Sequence, residues 1–274
     1  MPVYNEAAFI AESLSSLQNQ TYPNLRIVVS DNASTDGTET IAKEIAQSES
    51  RLDVVSRPNN IGAAANFALA AAEVETDYFM WAAGHDLWSP DLVSSCVAAL
   101  EAKPSAVIAY GACEWIDETG AVIDRYTGFG DTSDRAPLER FFTTLWGNMH
   151  PVLGVIHQSA LRRAKPFLPI PGADLVLLSE LSLMGEFLYV PEVTWHRRLN
   201  RPKETHGQRL ARYSSDEYAL SRQGIAPFLR LPIELIRVAA TAPLPLTQRI
   251  AAVLAVTAAF PARYLAGKQR ANES

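Results

Sequence analysis

The chain has 274 residues, 48% of them hydrophobic and 20% charged, enough to bury a sizeable core in one large domain or a domain with an appended segment. A net charge of −6 and a pI near 5.4 leave no basic face for general nucleic-acid binding, although a metal ion or local arginines can still serve an anionic small molecule. Cys96 and Cys113 stand in no metal-ligand spacing and read as apolar fillers, and no secretory signal is visible, which makes the cytoplasm the expected compartment.

The start, MPVYNE, reads as the end of a strand running into a helix. A first strand at a sheet centre needs apolar residues ahead of Pro2, so the expectation is a true start that lies upstream. A helix follows, marked by Ile10, Leu14 and Leu17. The strand Leu25–Ser30 then empties into SDNASTDGT, residues 30–38. Asp, Asn, Ser and Gly are turn residues, yet two carboxylates at a strand end also suit a ligand; both readings stay open. Ile41 and Ile45 mark the next helix, followed by the strand Leu52–Ser56 and an alanine-rich helix from Ala63 to Ala72.

Tyr78–Trp81 reads as a strand, with AAGHD after it. The helix beginning near Pro90 has Ser89 as its cap and Asp91 at the positive end of its dipole. Ser105–Tyr110 is a further strand. Short apolar strands alternating with helices imply an α/β fold with a mostly parallel sheet, whose ligands bind beyond the carboxyl ends of the strands. SDNASTDGT and AAGHD both lie at such ends.

Beyond Ala112 a hairpin turns at Glu118–Gly120, and a polar loop runs to Arg135. Helices are expected over Pro137–Leu145 and Asp174–Met184, the second ended by Gly185, and then the strands FLYVP and VTWHRR. The natural division is a domain over 1–212 and a helical segment over 213–274, broken by prolines at 227, 232, 243, 245 and 261. Its longest apolar run, Ile250–Phe260, is too short to span a bilayer. With Arg249, Arg263, Lys268 and Arg270 around it, this run suits a helix on an anionic membrane surface, or one packed on the domain or on another subunit.

The glycine signatures of dinucleotide-binding and P-loop proteins are missing, and so is a G-x-S-x-G elbow. A nucleotidyltransferase would show a glycine-rich basic stretch near its start, and MPVYNEAAF has none. Four stretches in register carry a resemblance instead: PVYNE at 2–6, LQNQTYPNLRIVVSDNASTDGT at 17–38, RPNNIGAAANF at 57–67 and GHDLWSP at 84–90. Together they resemble family-2 glycosyltransferases of the GT-A fold, over residues 2 to about 200.

That resemblance implies a GT-A domain that moves a sugar from a nucleotide-diphosphate donor to a hydroxyl acceptor, with inversion. The implied acceptor is a glycan or lipid-linked glycan of surface polysaccharide or glycolipid assembly, on the inner face of the membrane. By the same likeness Pro2, Tyr4, Glu6 and Asp31 hold the nucleotide. Arg57 is a candidate for the diphosphate, as are Arg197 and Arg198, with His196 and His206 beside them. Asp86, joined by His85, takes the place of an Asp-x-Asp signature that binds Mn²⁺ or Mg²⁺; Gly84 and His85 stand where the rest of that signature is expected. Imidazole suits Mn²⁺ better than Mg²⁺. Asp174, in the first turn of a helix, is the implied base, with Glu180 as the other candidate. Asp36 reads as a helix cap, and His150 and His157 as structural. The rival reading is a non-catalytic relative that binds sugar nucleotide or a partner glycosyltransferase.

Overall fold

The computed structural model describes residues 1–125, 127–128, 131–147, 151–165, 167–199 and 227–258. The first sheet is parallel, β1 (Pro2–Val3), β2 (Ile27–Asp31) and β3 (Leu52–Ser56) in that order. Val3 pairs with Asp31, and Asp31 with Ser56, so all three strands end at one edge. α1 (Ile10–Gln18) and α2 (Thr38–Ala46) connect them, and Ile10, Leu14, Leu17, Ile27 and Val29 join one core.

The second sheet runs β4 (Tyr78–Phe79), β8 (Val155–His157), β6 (Ala106–Ile116), β9 (Glu186–Arg198), β5 (Leu87–Trp88), with β7 (Val122–Ile123) on β6. Among the described residues only β6 and β9 pair in parallel here, so the α/β class holds while the parallel pairing is shared between two sheets. FLYVP and VTWHRR are one strand rather than two. β9 passes Pro191 without ending because the ladder shifts register between Gly111 and Ala112, which absorbs a bulge. A side chain at Gly111 would place its Cβ 2.5 Å from the Val193 carbonyl oxygen. The expected hairpin forms, with Trp115 opposite Ile123 and Gly120 in the left-handed region at φ 87°.

Between the sheets lies a groove of about 370 Å³, walled by β2 residues Ile27 and Val28 and by Tyr78, Phe79 and Met80. The Met1 amine sits at its end, donating to the Val28 carbonyl at 2.7 Å, and burial pushes its pKa down to about 5.

α3 (Ala63–Ala72) follows β3, and α4 (Leu92–Ala102) buries Leu92, Val93, Cys96, Val97 and Leu100 as its apolar stripe requires. Its cap differs from the expectation. Ser89 Oγ accepts from the Thr194 amide instead, and Gln20 Oε1 accepts from the Val93 amide at 3.0 Å. Cys96 is buried as expected, whereas Cys113 is half-buried beside the candidate site.

α5 (Pro137–Trp146) and α7 (Ala173–Met184) pack together, with α6 (Gln158–Arg163) before α7. The described part of the C-terminal segment, α8 (Pro227–Thr241) and a helix over 246–258, lies on this pair. Leu235, Val238, Ala239, Ala252 and Val256 share one core with Phe141, Leu145, Ile170 and Val176. One face of the segment is therefore packed on the domain. The other leaves Leu246, Ile250 and Leu254 between 51% and 63% exposed.

Candidate active site

The loops after β1 and β2 are stitched to each other. The Asn5 amide donates to Ser34 Oγ at 3.0 Å, and Asn5 Oδ1 accepts from the Thr35 amide at 2.9 Å. Asp36 ties both sides, accepting from the Ala7 amide and from the amide and hydroxyl of Thr38. It is occupied structurally, as its place before α2 suggests. Asn5 and Ala33 adopt left-handed backbone at φ 57° and 60°; for alanine that is a strained conformation of the kind that gathers at binding sites.

Asp31 ends β2 fully buried. Its Oδ2 accepts from the Ser34 amide at 3.0 Å, while Oδ1 is buried without a hydrogen-bond partner among the described residues. A buried carboxylate oxygen lacking a donor is costly. Tyr4 is 44% exposed at the same edge. Pro2 is buried in the ladder opposite Ser30 and offers backbone only.

The RPNNIGAAANF stretch proves to be scaffold for this edge. Asn32 Oδ1 accepts from the Ile61 amide and its Nδ2 donates to Asn60, while Asn66 bridges the hydroxyl and carbonyl of Ser30. Arg57 is held away from a phosphate role: its guanidinium pairs with Glu73 at 2.5 Å and donates to Ser30 Oγ at 3.2 Å.

His85 lies 3.0 Å through Nδ1 from Glu6 Oε1, and its Nε2 is 3.7 Å from Asp86 Oδ1. Gly84 makes this approach possible, because a Cβ there would lie 2.8 Å from Val3 Cγ1. Asp86 is 2% exposed. Its Oδ2 accepts from Trp195 Nε1 and its Oδ1 from the Arg198 amide, both at 2.9 Å. Burial pushes its pKa up, opposed by His85, these two donors and Arg197. Among the described residues no three His, Cys, Asp or Glu side chains converge where a metal ion would sit. Each Asp86 oxygen accepts one N–H and keeps a second lone pair, and Glu6 takes His85 Nδ1, which leaves Nε2 facing Asp86 Oδ1; these are the groups here that could hold a cation.

Arg198 is likewise engaged. Its side chain is 1% exposed; Nε donates to the His85 carbonyl, Nη1 to the Asp117 and Glu118 carbonyls, and Nη2 to Glu12 Oε2. Its place among the diphosphate candidates gives way to a structural one: it locks the AAGHD loop to α1 and the β6–β7 turn. Arg197 points elsewhere, stacked on Trp115 with the guanidinium carbon 4.5 Å from the ring centre and 5.5 Å from that of Trp195. Arg125 lies over the same Trp115 ring at 4.0 Å. Burial pushes the Arg197 pKa down against the nearby Asp86, Cys113 and Asp174.

Asp174 is half-buried in the first turn of α7, after Gly172 in the left-handed region, and its charge acts on Arg197. Glu180 does not join it. It accepts from the Lys165 amide, lies 3.9 Å from Arg237, and has its pKa pushed up to about 7 by burial and by Glu234. His196 pairs with Glu114 at 2.9 Å, and His157 stacks on Tyr78. His150 and His206 lie outside the described residues.

Three strand ends at one edge and a buried carboxylate oxygen without a donor belong to an α/β domain, and solved structures identify its fold. S. aureus TarS 1–349, solved in complex with UDP, matches with a TM-score of 0.64 at 15% identity, over 92% of this chain and 68% of that one. The mannosyltransferase PcManGT from Pyrobaculum calidifontis, in complex with GDP-Man and Mn²⁺, matches at 0.54 with 22% identity, over 98% of this chain and 78% of that one. The fold is GT-A.

Residues 1–165 match the model of Glycosyl transferase family 2, more than half of the chain, and the chain belongs to that family. The putative glycosyltransferase EpsE of Bacillus subtilis is 35% identical over 102 residues, 37% of each chain. EpsH of the same organism, also a putative glycosyltransferase, is 30% identical over 146 residues, 53% of this chain and 41% of that one. The chain thus spans well under half the length of these curated relatives.

Proposed function

We propose that this chain is a glycosyltransferase that moves a sugar from a nucleoside-diphosphate donor to a hydroxyl acceptor with inversion. The observation that carries the reading is Asp31 Oδ1, buried and lacking a donor at the end of β2, where the N–H of a nucleobase supplies one. Tyr4 lies open at the same edge, and Glu6 anchors His85 beside it.

In the proposed step the acceptor oxygen forms a bond to the anomeric carbon as the bond from that carbon to the diphosphate oxygen breaks. The acceptor proton passes to an Asp174 carboxylate oxygen, and the electron pair leaves with the nucleoside diphosphate. Asp86 and His85 Nε2 would hold a divalent cation, which would help to neutralise the diphosphate's charge; no step is routed through it here. The acceptor proposed is a glycan or lipid-linked glycan of surface polysaccharide assembly at the inner face of the membrane. No helix of the described residues is long and apolar enough to cross a membrane, and the exposed Leu246, Ile250 and Leu254 stripe is the proposed contact with it.

The test is a thermal-shift panel of UDP, GDP, TDP and CMP on the full chain and on Asp31→Ala. One nucleotide is expected to raise the melting temperature, with the shift lost in the variant. No shift for any of them removes the donor from the proposal. A shift with no sugar transfer in either wild type or Asp174→Asn favours the non-catalytic relative.

A further inference from the structure

We propose that Leu231 of α8 is a positioning residue for Asp174, so that the C-terminal segment seats the base of the transfer; this rests on the glycosyltransferase reading above. The start of α7 has no side-chain cap. Its first turn hangs on Gly172 instead, whose carbonyl accepts from the Leu175 and Val176 amides at 3.0 and 3.3 Å, and Asp174 stands within that turn. Gly172 holds left-handed backbone at φ 84°. Glycine reaches many other conformations at little cost, so packing has to hold this one.

Leu231 supplies that packing. The atoms nearest to where a Cβ on Gly172 would lie are Leu231 Cδ2, Cδ1 and Cγ, at 2.8, 3.3 and 3.6 Å. The isobutyl group thus rests on the bare α-carbon of the residue from which the first turn hangs. The rest of α8 is fixed along the same helix: Leu235 and Val238 share a core with Ala173 and Val176, and Arg237 stands 3.9 Å from Glu180 further along α7. A base acts only where its carboxylate reaches the acceptor hydroxyl, and a displacement of about 1 Å is enough to slow the step severalfold. The helix over 246–258, with the exposed Leu246, Ile250 and Leu254, follows α8 in the same segment. The segment proposed to meet the membrane is therefore also the one that seats the base.

The test compares Leu231→Ala with Val238→Ala, a residue 3% exposed in the same core and about two turns further along the same helix. Each should lower the melting temperature, by about 3–10 °C. Release of nucleoside diphosphate from UDP-GlcNAc and GDP-Man, with water in the acceptor's place, is then measured well below both melting points. Leu231→Ala should lower kcat about tenfold with KM within about twofold, while Val238→Ala should keep both within about twofold. Leu231→Met should recover most of the loss. Should Leu231→Ala fail to fold, the shorter truncation Leu231→Val takes its place. Equal losses of kcat in the two alanine variants, an unchanged kcat in Leu231→Ala, or a loss confined to KM overturns the inference and leaves the glycosyltransferase reading standing. Should the wild type bind nucleotide and release nothing from either donor, hydrogen exchange of the Leu175 and Val176 amides decides. Faster exchange in Leu231→Ala than in Val238→Ala supports the positioning contact, and equal exchange overturns it. No nucleotide binding to the wild type overturns the glycosyltransferase reading, and the inference with it.

Discussion

Replacing Arg198 by Met separates a structural arginine from a ligand-binding one. Met keeps an apolar stem against Phe9, whose ring centre lies 4.8 Å from the guanidinium carbon, and removes every N–H donor. The lost bonds are Nε to the His85 carbonyl at 2.9 Å, Nη1 to those of Asp117 and Glu118 at 3.0 and 2.9 Å, and Nη2 to Glu12 at 2.6 Å. Glu12 is 56% exposed, so its ion pair contributes only about 0–1 kcal/mol. The Asp117 and Glu118 carbonyls belong to an accessible turn and regain water. The His85 carbonyl loses a charged donor that water does not readily replace. Summed as charge-assisted bonds with partial rehydration, the cost is about 3–4 kcal/mol. For a chain of this size that lowers the melting temperature by roughly 6–15 °C. Urea unfolding measures the first figure and calorimetry the second, with nucleotide affinity measured on the folded protein alongside. A cost under about 1 kcal/mol, or lost nucleotide binding at unchanged stability, refutes the structural assignment.

Three further outcomes follow from the same geometry. Glu180 has a folded pKa of about 7, above its ordinary 4.5, so the protonated carboxyl is the stable form in the fold and stability falls as pH rises from 4.5 through 7. Glu180→Gln should remove about 2 kcal/mol of that slope and melt above wild type at pH 8, as seen in melts across pH 5–8; an unchanged slope refutes it. Gly185→Ala would place a Cβ 2.4 Å from Val107 Cγ1 and 2.6 Å from the Ser105 carbonyl oxygen, where α7 turns into β9, and should cost about 2–4 kcal/mol in urea unfolding. Replacing Leu246, Ile250 and Leu254 together by Ser should leave the melting temperature within a few degrees, because these side chains are exposed, yet abolish co-flotation with anionic vesicles; equal flotation would count against the membrane contact.

The apolar runs and their connecting helices were legible because burial on both faces demands continuous hydrophobic strands, and β2, β3, α1 and α4 appear where the pattern places them. The Asp31 turn was legible for a similar reason: its residue types suit little besides a turn or a ligand. Local pattern could not show the single strand β9, since the bulge that carries it past Pro191 depends on where β6 lies beside it. The cap of α4 was equally hidden, because Gln20 comes from another helix–strand connection, 73 residues away from Val93.

Arg197 and Arg198 show the division most clearly. By itself the sequence determined an α/β alternation of strands and helices, an acidic turn at the end of β2, and two adjacent arginines at the end of the last strand. Adjacent residues of a strand face opposite sides of the sheet. Which side meets the carbonyls of the AAGHD loop, and which meets the tryptophans and Asp174, depends on the packing of β9 against β5 and β6. Only the tertiary structure therefore decided that Arg198 is a buried strut, that Asp86 is held by Trp195 and the Arg198 amide, and that Arg197 stacks on Trp115.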